Sequence, residues 1–174
     1  MQTQPDAHQD PMEALLPAAH EAAELLRQAD ATVAVAESSS GGLIAAALLA
    51  VPGASAYFRG GAVVYTGDAK AILLSEDRTR LTDPRAATPA HAVVLADAVR
   101  RQLTATWGIG ETGAAGPTGN RYGDPAGHSC VAVVGPEGQQ ATQTVATGEI
   151  DRAANMTVFA LAAIRLLAQA LRAS

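Results

Sequence analysis

Leu15, Leu16, Ala19, Ala22, Leu25 and Leu26 recur at helical spacing. This period predicts an amphipathic surface helix over Met12 to Gln28, started or kinked at Pro17. The polar stretch of residues 1–12 reads as a disordered N-terminal tail, leaving residues 13–174 as one domain. Beyond the helix the pattern changes. Thr32 to Ala36 (TVAVA) is a short β-branched and apolar run that predicts a buried strand, with Glu37 to Gly42 (ESSSGG) as its exit turn. Gly42 to Val51 (GLIAAALLAV) has no polar face, so it predicts a helix inside the domain, stopped by Pro52 and Gly53.

Gly61 to Tyr65 predicts a second strand, and Asp68 to Leu74 a short helix capped by Thr66 or Asp68. Residues 75–87 form a charged connection. Thr88 to Thr106 predicts a longer helix with Thr88 as N-cap, Pro89 at the first helical position, and Val93, Val94, Ala98 and Leu103 facing inward. Trp107 to Thr112 reads as a strand feeding a loop, Gly113 to Gly127, that holds five Gly and two Pro. Ser129 to Val134 and Gln140 to Ala146 read as a hairpin, and Asp151 to Arg172 as a closing helix. Strands alternating with helices predict a three-layer α/β/α domain with a mixed, mostly parallel sheet, the hairpin supplying the antiparallel strand.

Composition refines this picture. With 40 Ala against 6 aromatic residues, the core is built from small side chains and the layers must pack closely. The net charge of −5 comes without any basic run, which argues against a nucleic-acid partner. No basic and apolar leader opens the chain, and Gly, Pro or charge breaks its apolar stretches, so neither export nor a membrane is expected. Cys130 is the sole cysteine; it forms no intrachain disulfide and no cysteine-clustered metal site, and suits the cytoplasm. Apolar helices at both ends of the chain fit a homo-oligomer.

Eleven of the twelve basic residues are Arg; Lys70 alone is lysine. Arg cannot lose its proton near neutral pH, whereas a desolvated Lys can. The turn Glu37 to Gly42 sits between a strand and a helix, where a serine is either a nucleophile beside backbone N–H groups or an ordinary cap. Lys70 is then either a base for that serine or an exposed helical residue, with Tyr65 either orienting the amine or packing at a strand end. Among the histidines, His20 and His91 read as exposed helix residues, and His128 ends the glycine loop within reach of a site. That loop lacks the Walker A and dinucleotide spacings, but its glycines form a backbone wall that can approach a phosphate or sugar. No paired-acid, histidine or cysteine spacing suggests a metal, so the chemistry is read as running without metal or cofactor.

Ala36-Glu37-Ser38-Ser39-Ser40-Gly41-Gly42 resembles the A-E-S-C-T-G-G element of the CinA C-terminal domain family. Val51-Pro52-Gly53-Ala54-Ser55, Phe58-Arg59-Gly60-Gly61, Tyr65 through Lys70, Thr112 through Pro117 and Pro125-Ala126-Gly127 resemble its further motifs, in order, over Leu15 to Leu171. The family includes nicotinamide mononucleotide deamidases, Ser/Lys amidohydrolases without a metal. The resemblance implies an α/β/α fold, a small-molecule nucleotide substrate, Ser38 as nucleophile, Lys70 as base and Tyr65 as an active-site helper. It implies substrate binding by Glu37, Ser39, Ser40, Gly41 and Gly42 of the turn, by Gly113, Ala115, Gly116 and Pro117 of the loop, and by Arg152. Hydrolysis of a different amide and non-catalytic nucleotide binding are the alternatives. Asp124 stands where the family has Lys, which implies a reversed charge at the loop, and His128 stands where Thr is usual.

Overall fold

The computed structural model describes residues 10–174. Helix α1 (Pro11–Gln28) begins at Asp10, whose carboxylate accepts from the Met12 N–H at 3.0 Å. Residues 10–12 of the expected tail thus belong to the helix and its cap, and residues 1–9 lie outside the described residues. Then follow β1 (Val33–Glu37), α2 (Leu43–Ala50), β2 (Phe58–Val63), α3 (Gly67–Leu73), α4 (Arg78–Thr82) and α5 (Pro89–Gln102). The chain closes with β3 (Trp107–Ala114), β4 (His128–Val134), β5 (Gln140–Ala146) and α6 (Arg152–Arg172).

The strands form one sheet in the order β2-β1-β3-β4-β5. β1 pairs in parallel with β2 and β3, and β4 pairs antiparallel with β3 and β5, so four of the five strands run in one direction. Side chains alternate across the sheet. Val33, Val35, Trp107, Ile109, Val131 and Val133 face a core shared with α1, α2 and α6, whereas Ala34, Ala36, Cys130 and Ala132 face α5.

On the α5 face the small residues are required. A Cβ on Gly108 would lie 2.0 Å from the Ala96 carbonyl oxygen, and one on Gly110 would lie 2.0 Å from that of Ala92. The helix backbone thus rests directly on the strand. The same contact turns α5 so that His91, Ala92, Leu95, Ala96 and Val99 are buried. Of the inward set expected from spacing, Ala98 is buried, whereas Val93 and Val94 are half-buried and Leu103 is exposed.

Other departures are local. β2 starts three residues before the expected Gly61, because Phe58 through Gly61 register against Val33 through Val35 of β1. The charged connection contains α4, capped by Asp77, whose carboxylate accepts from the Thr79 N–H at 2.7 Å. α5 ends at Gln102, before Thr104 takes a φ of 50°. α2 is not wholly internal: β2 is the edge strand, and Leu49 remains 55% exposed. Helix α6, contrary to expectation, is long and apolar enough by length and composition to cross a bilayer. Here its Ala160, Ala163, Ile164 and Leu167 are buried against α1 and the sheet.

Candidate active site

After β1 the chain crosses through α2 on one face of the sheet, and after β2 it returns through α3, α4 and α5 on the other. The carboxyl ends of β1 and β3 therefore flank a topological switch point, where crevices form in α/β sheets. A cavity of about 520 Å³ opens there, bounded by Ser38, Tyr65, Lys70, Gly113, Arg121 and Tyr122. Its size is within the ~300–1,000 Å³ of small-molecule sites.

The serine turn is held from beneath by Glu111, which sequence reasoning missed. The last β1–β3 pair is Ala36 with Gly110, so the next residue of β3 projects under the turn that leaves β1. Glu111 is fully buried. Its Oε2 accepts from the N–H groups of Ser38 at 3.0 Å and Ser40 at 2.9 Å, and from Ser40 Oγ at 3.0 Å. Its Oε1 accepts from the hydroxyls of Ser129, at 2.6 Å, and Ser39. The signal was present in the pattern: Glu111 shares period-two parity with Trp107 and Ile109, both core residues.

Glu37 lies behind the same turn. Gly42, at the N-cap of α2, has no side chain to offer, and the Glu37 carboxylate accepts from the N–H groups of Ile44 at 3.1 Å and Ala45 at 3.0 Å. Burial pushes its pKa above the usual carboxylate value; bonds from Ser40, Ala45 and Ile44 oppose this, and the Glu111 charge adds to it. Ser40 is fully buried and donates to Glu37 Oε2 at 2.6 Å. Glu37 and Ser40, expected to bind substrate, are thus turned away from the cavity and build the turn instead. The Gly41 N–H is spent on the Ser38 carbonyl at 3.2 Å. Among the described residues, the Ser39 N–H has no acceptor.

Lys70 enters from α3, whose first turn is capped by the Thr66 hydroxyl accepting from the Ala69 N–H at 3.1 Å. Only 7% of it is exposed. Burial lowers its pKa from the ordinary lysine value; the Glu111 carboxylate opposes this and the Arg121 cation adds to it. Its amine hydrogen-bonds His91 Nε2 at 3.1 Å. His91, expected on an exposed helical face, is fully buried. Its spacing to Leu95 and Val99, four residues apart along α5, could have revealed it as an inward position. Burial first, and then the Lys70 charge, depress its pKa to about 4 against the Pro84 hydrogen bond, so the ring is neutral at pH 7.

Tyr65 is exposed, and its hydroxyl accepts from Arg152 Nη2 at 3.3 Å. Arg152 Nη1 donates to the Gly116 carbonyl at 2.6 Å, tying the start of the glycine loop to Tyr65. Ala115 and Gly116 are buried, and the Ala115 carbonyl accepts from Asn155 Nδ2 at 2.8 Å. Pro117 borders a second, mostly apolar cavity of about 400 Å³ with His128. His128 bonds the Ala87 carbonyl at 3.0 Å and braces the loop outside the serine–lysine cleft.

The reversed charge at Asp124 is compensated within the protein. Arg85 donates to its two oxygens at 2.7 and 3.2 Å and, as the leading cause, holds its pKa below the usual carboxylate range. The Tyr122 ring is stacked by the guanidinium groups of Arg85 and Arg121, at 5.0 and 5.2 Å from its centroid. Arg121 lines the cavity and, among the described residues, pairs with no carboxylate. No group of three His, Cys, Asp or Glu among them is arranged to hold a metal ion.

The result is a three-layer α/β/α domain whose switch-point cleft is lined by both a serine turn and a desolvated lysine. The family model for the CinA C-terminal domain matches residues 16–171, and the chain belongs to that family. It is 40% identical over 147 residues to a CinA-like protein of Desulfosudis oleivorans, covering 84% of this chain and 35% of that one. With a CinA-like protein of Gloeobacter violaceus it shares 43% identity over 114 residues, 66% of this chain and 27% of the other. The chain thus spans about a third or less of these relatives' lengths. Solved structures match throughout: the competence/damage inducible protein of Agrobacterium tumefaciens superposes with a TM-score of 0.83 at 27% identity, covering 98% of this chain and 99% of that one. A CinA superfamily protein of Klebsiella pneumoniae gives 0.83 at 26% identity, covering 95% and 100%.

Proposed function

We propose that this domain is a metal-independent amidohydrolase that deamidates nicotinamide mononucleotide to nicotinate mononucleotide and ammonia, in pyridine nucleotide salvage in the cytoplasm. The observation that carries this reading is the desolvated Lys70 amine opening on the same cavity as Ser38. A lysine with a lowered pKa is neutral often enough to act as a base. Lys70 takes the Ser38 hydroxyl proton as Oγ attacks the carboxamide carbon, and the negative charge moves to the carboxamide oxygen, beside the free Ser39 N–H. The C–N bond then breaks and the Lys70 ammonium protonates the departing nitrogen, releasing ammonia and leaving an ester on Ser38. Water attacks that ester, Lys70 accepts its proton and returns it to Ser38 Oγ, and the carboxylate product leaves.

Arg121 at the cavity mouth supplies a cation without a carboxylate partner for the nucleotide phosphate, and Tyr122 an aromatic face for a ring. The test is ammonia release from nicotinamide mononucleotide in EDTA, with Ser38→Ala and Lys70→Arg alongside. Turnover that survives the chelator and is lost in both variants is expected. Turnover only on an amide lacking the phosphate, or binding without turnover, would replace this reading with a different hydrolase or a binding protein.

A further inference from the structure

We propose that His91 is a positioning residue: it stays neutral, accepts a hydrogen bond from the Lys70 amine through Nε2, and thereby aims that amine at the Ser38 cavity. The role rests on the proposed Ser/Lys reading; the hydrogen bond beneath it does not.

The tautomer follows from the neighbours. Nδ1 of His91 lies 3.0 Å from the Pro84 carbonyl oxygen, which can only accept, so Nδ1 carries the proton. In a neutral ring Nε2 is then a bare acceptor, and it lies 3.1 Å from Lys70 Nζ. An ammonium or an amine can donate to it, whereas in a doubly protonated ring Nε2 carries a hydrogen, cannot accept, and would repel an ammonium. The groups that act on the Lys70 amine are His91 from α5, Glu111 from β3 and Arg121 from the glycine loop. Of these, only His91 is in hydrogen-bond contact with it. The backbone fixes the ring in turn: the Thr88 hydroxyl caps α5 by accepting from the His91 N–H at 3.2 Å, and the Pro84 carbonyl anchors Nδ1. A lysine has four side-chain torsions, and one acceptor at a fixed point selects the conformers in which its lone pair can meet Ser38.

Two substitutions separate anchoring from acceptance. In His91→Asn the shorter amide can still donate to the Pro84 carbonyl but leaves Lys70 without an acceptor. In His91→Gln the amide oxygen reaches the Nε2 position and can accept from Lys70. Because Lys70 is the only lysine, its titration can be followed without turnover, from the pH dependence of its acetylation read by peptide mass spectrometry. In His91→Asn the midpoint is expected about one pH unit lower, as for an ammonium that has lost one charge-assisted bond. His91→Gln should return it to the wild-type value. With nicotinamide mononucleotide as substrate, His91→Asn should lower kcat about tenfold or more with KM within about twofold, and His91→Gln should recover most of kcat.

Long-range proton–nitrogen NMR of the wild type should show a bare Nε2 on His91 at neutral pH. A protonated Nε2, or a midpoint unchanged or raised in folded His91→Asn, overturns the inference. If the wild type turns over no nucleotide while the titration behaves as described, the deamidase reading fails and the hydrogen bond stands. If turnover occurs and the titration does not respond, the reverse holds.

Discussion

Replacing Glu111 separates the demands of the serine turn from those of ordinary packing. In Glu111→Ala the buried N–H groups of Ser38 and Ser40 lose the only acceptor they have among the described residues. Two of the three hydroxyls fare better, since Ser40 Oγ keeps Glu37 and Ser129 Oγ keeps the Thr112 carbonyl at 3.3 Å, while Ser39 Oγ loses its acceptor as the amides do. A buried donor left unpaired costs about 1–3 kcal/mol, so the two amides together cost about 2–6 kcal/mol before any cavity penalty. Glu111→Gln behaves differently. Its single oxygen can take the Oε2 position and accept from both amides, and its NH2 group then faces the Ser39 and Ser129 hydroxyls, which can rotate to accept. The loss is then the gap between charged and neutral hydrogen bonds, about 1–2 kcal/mol. Urea unfolding at pH 7 measures both, because the single tryptophan, Trp107, is buried on the same strand. Alanine should fall well below wild type and glutamine between them. Equal losses, or none, would refute the claim that Glu111 holds the turn through its backbone amides.

His91 should leave a mark on acid stability. The folded state holds its pKa near 4 against an ordinary 6.5, so as pH falls between those values the unfolded chain binds a proton that the folded one refuses, and stability drops. At pH 5 the linkage amounts to about 2 kcal/mol. Urea titrations at pH 7 and pH 5 should show wild type losing about that much more than His91→Gln; parallel losses would mean the ring is not held neutral. Gly110→Ala forces a methyl group to within 2.0 Å of the Ala92 carbonyl oxygen, so α5 must lift from the sheet. Overpacking of this kind costs about 1–3 kcal/mol, read by calorimetry as a Tm lower by several degrees. An unchanged Tm would show that the layer spacing is not set by that glycine.

What the amino-acid pattern could reveal follows from where information is local. The strands, Thr88 as a cap, the serine turn and the glycine loop are each declared by a few adjacent residues. The face of α5 is not, because it depends on Gly108 and Gly110, which lie in the strand that follows the helix, begun five residues after the helix ends. Val93 and Val94 look more apolar than His91 and Ala92, yet the contact favours the residues whose backbone can approach a bare strand. His91 became internal for this reason, and the apolar stripe it shares with Leu95 and Val99 was the only local hint. Glu111 was hidden similarly: an acid within W-G-I-G-E-T-G acquires meaning only once the β1–β3 pairing is known to end one residue short of it.

These nonlocal residues also explain why one lysine persists in a chain that otherwise uses Arg for every cation. The exposed cations of Arg78, Arg80 and Arg101 serve surface ion pairs, for which a permanently charged, forked donor is well suited. Position 70 demands the reverse. It is buried, it borders one neutral acceptor on His91, and its nearby cation, Arg121, opposes a second permanent charge. A guanidinium there would stay charged and would present five donors to a single acceptor, leaving several buried and unpaired. An amine can shed its proton, satisfy His91 with one N–H and keep a lone pair for the serine. The fold's demand at this position and the chemistry proposed for it therefore select the same side chain, and Lys70→Arg tests both at once.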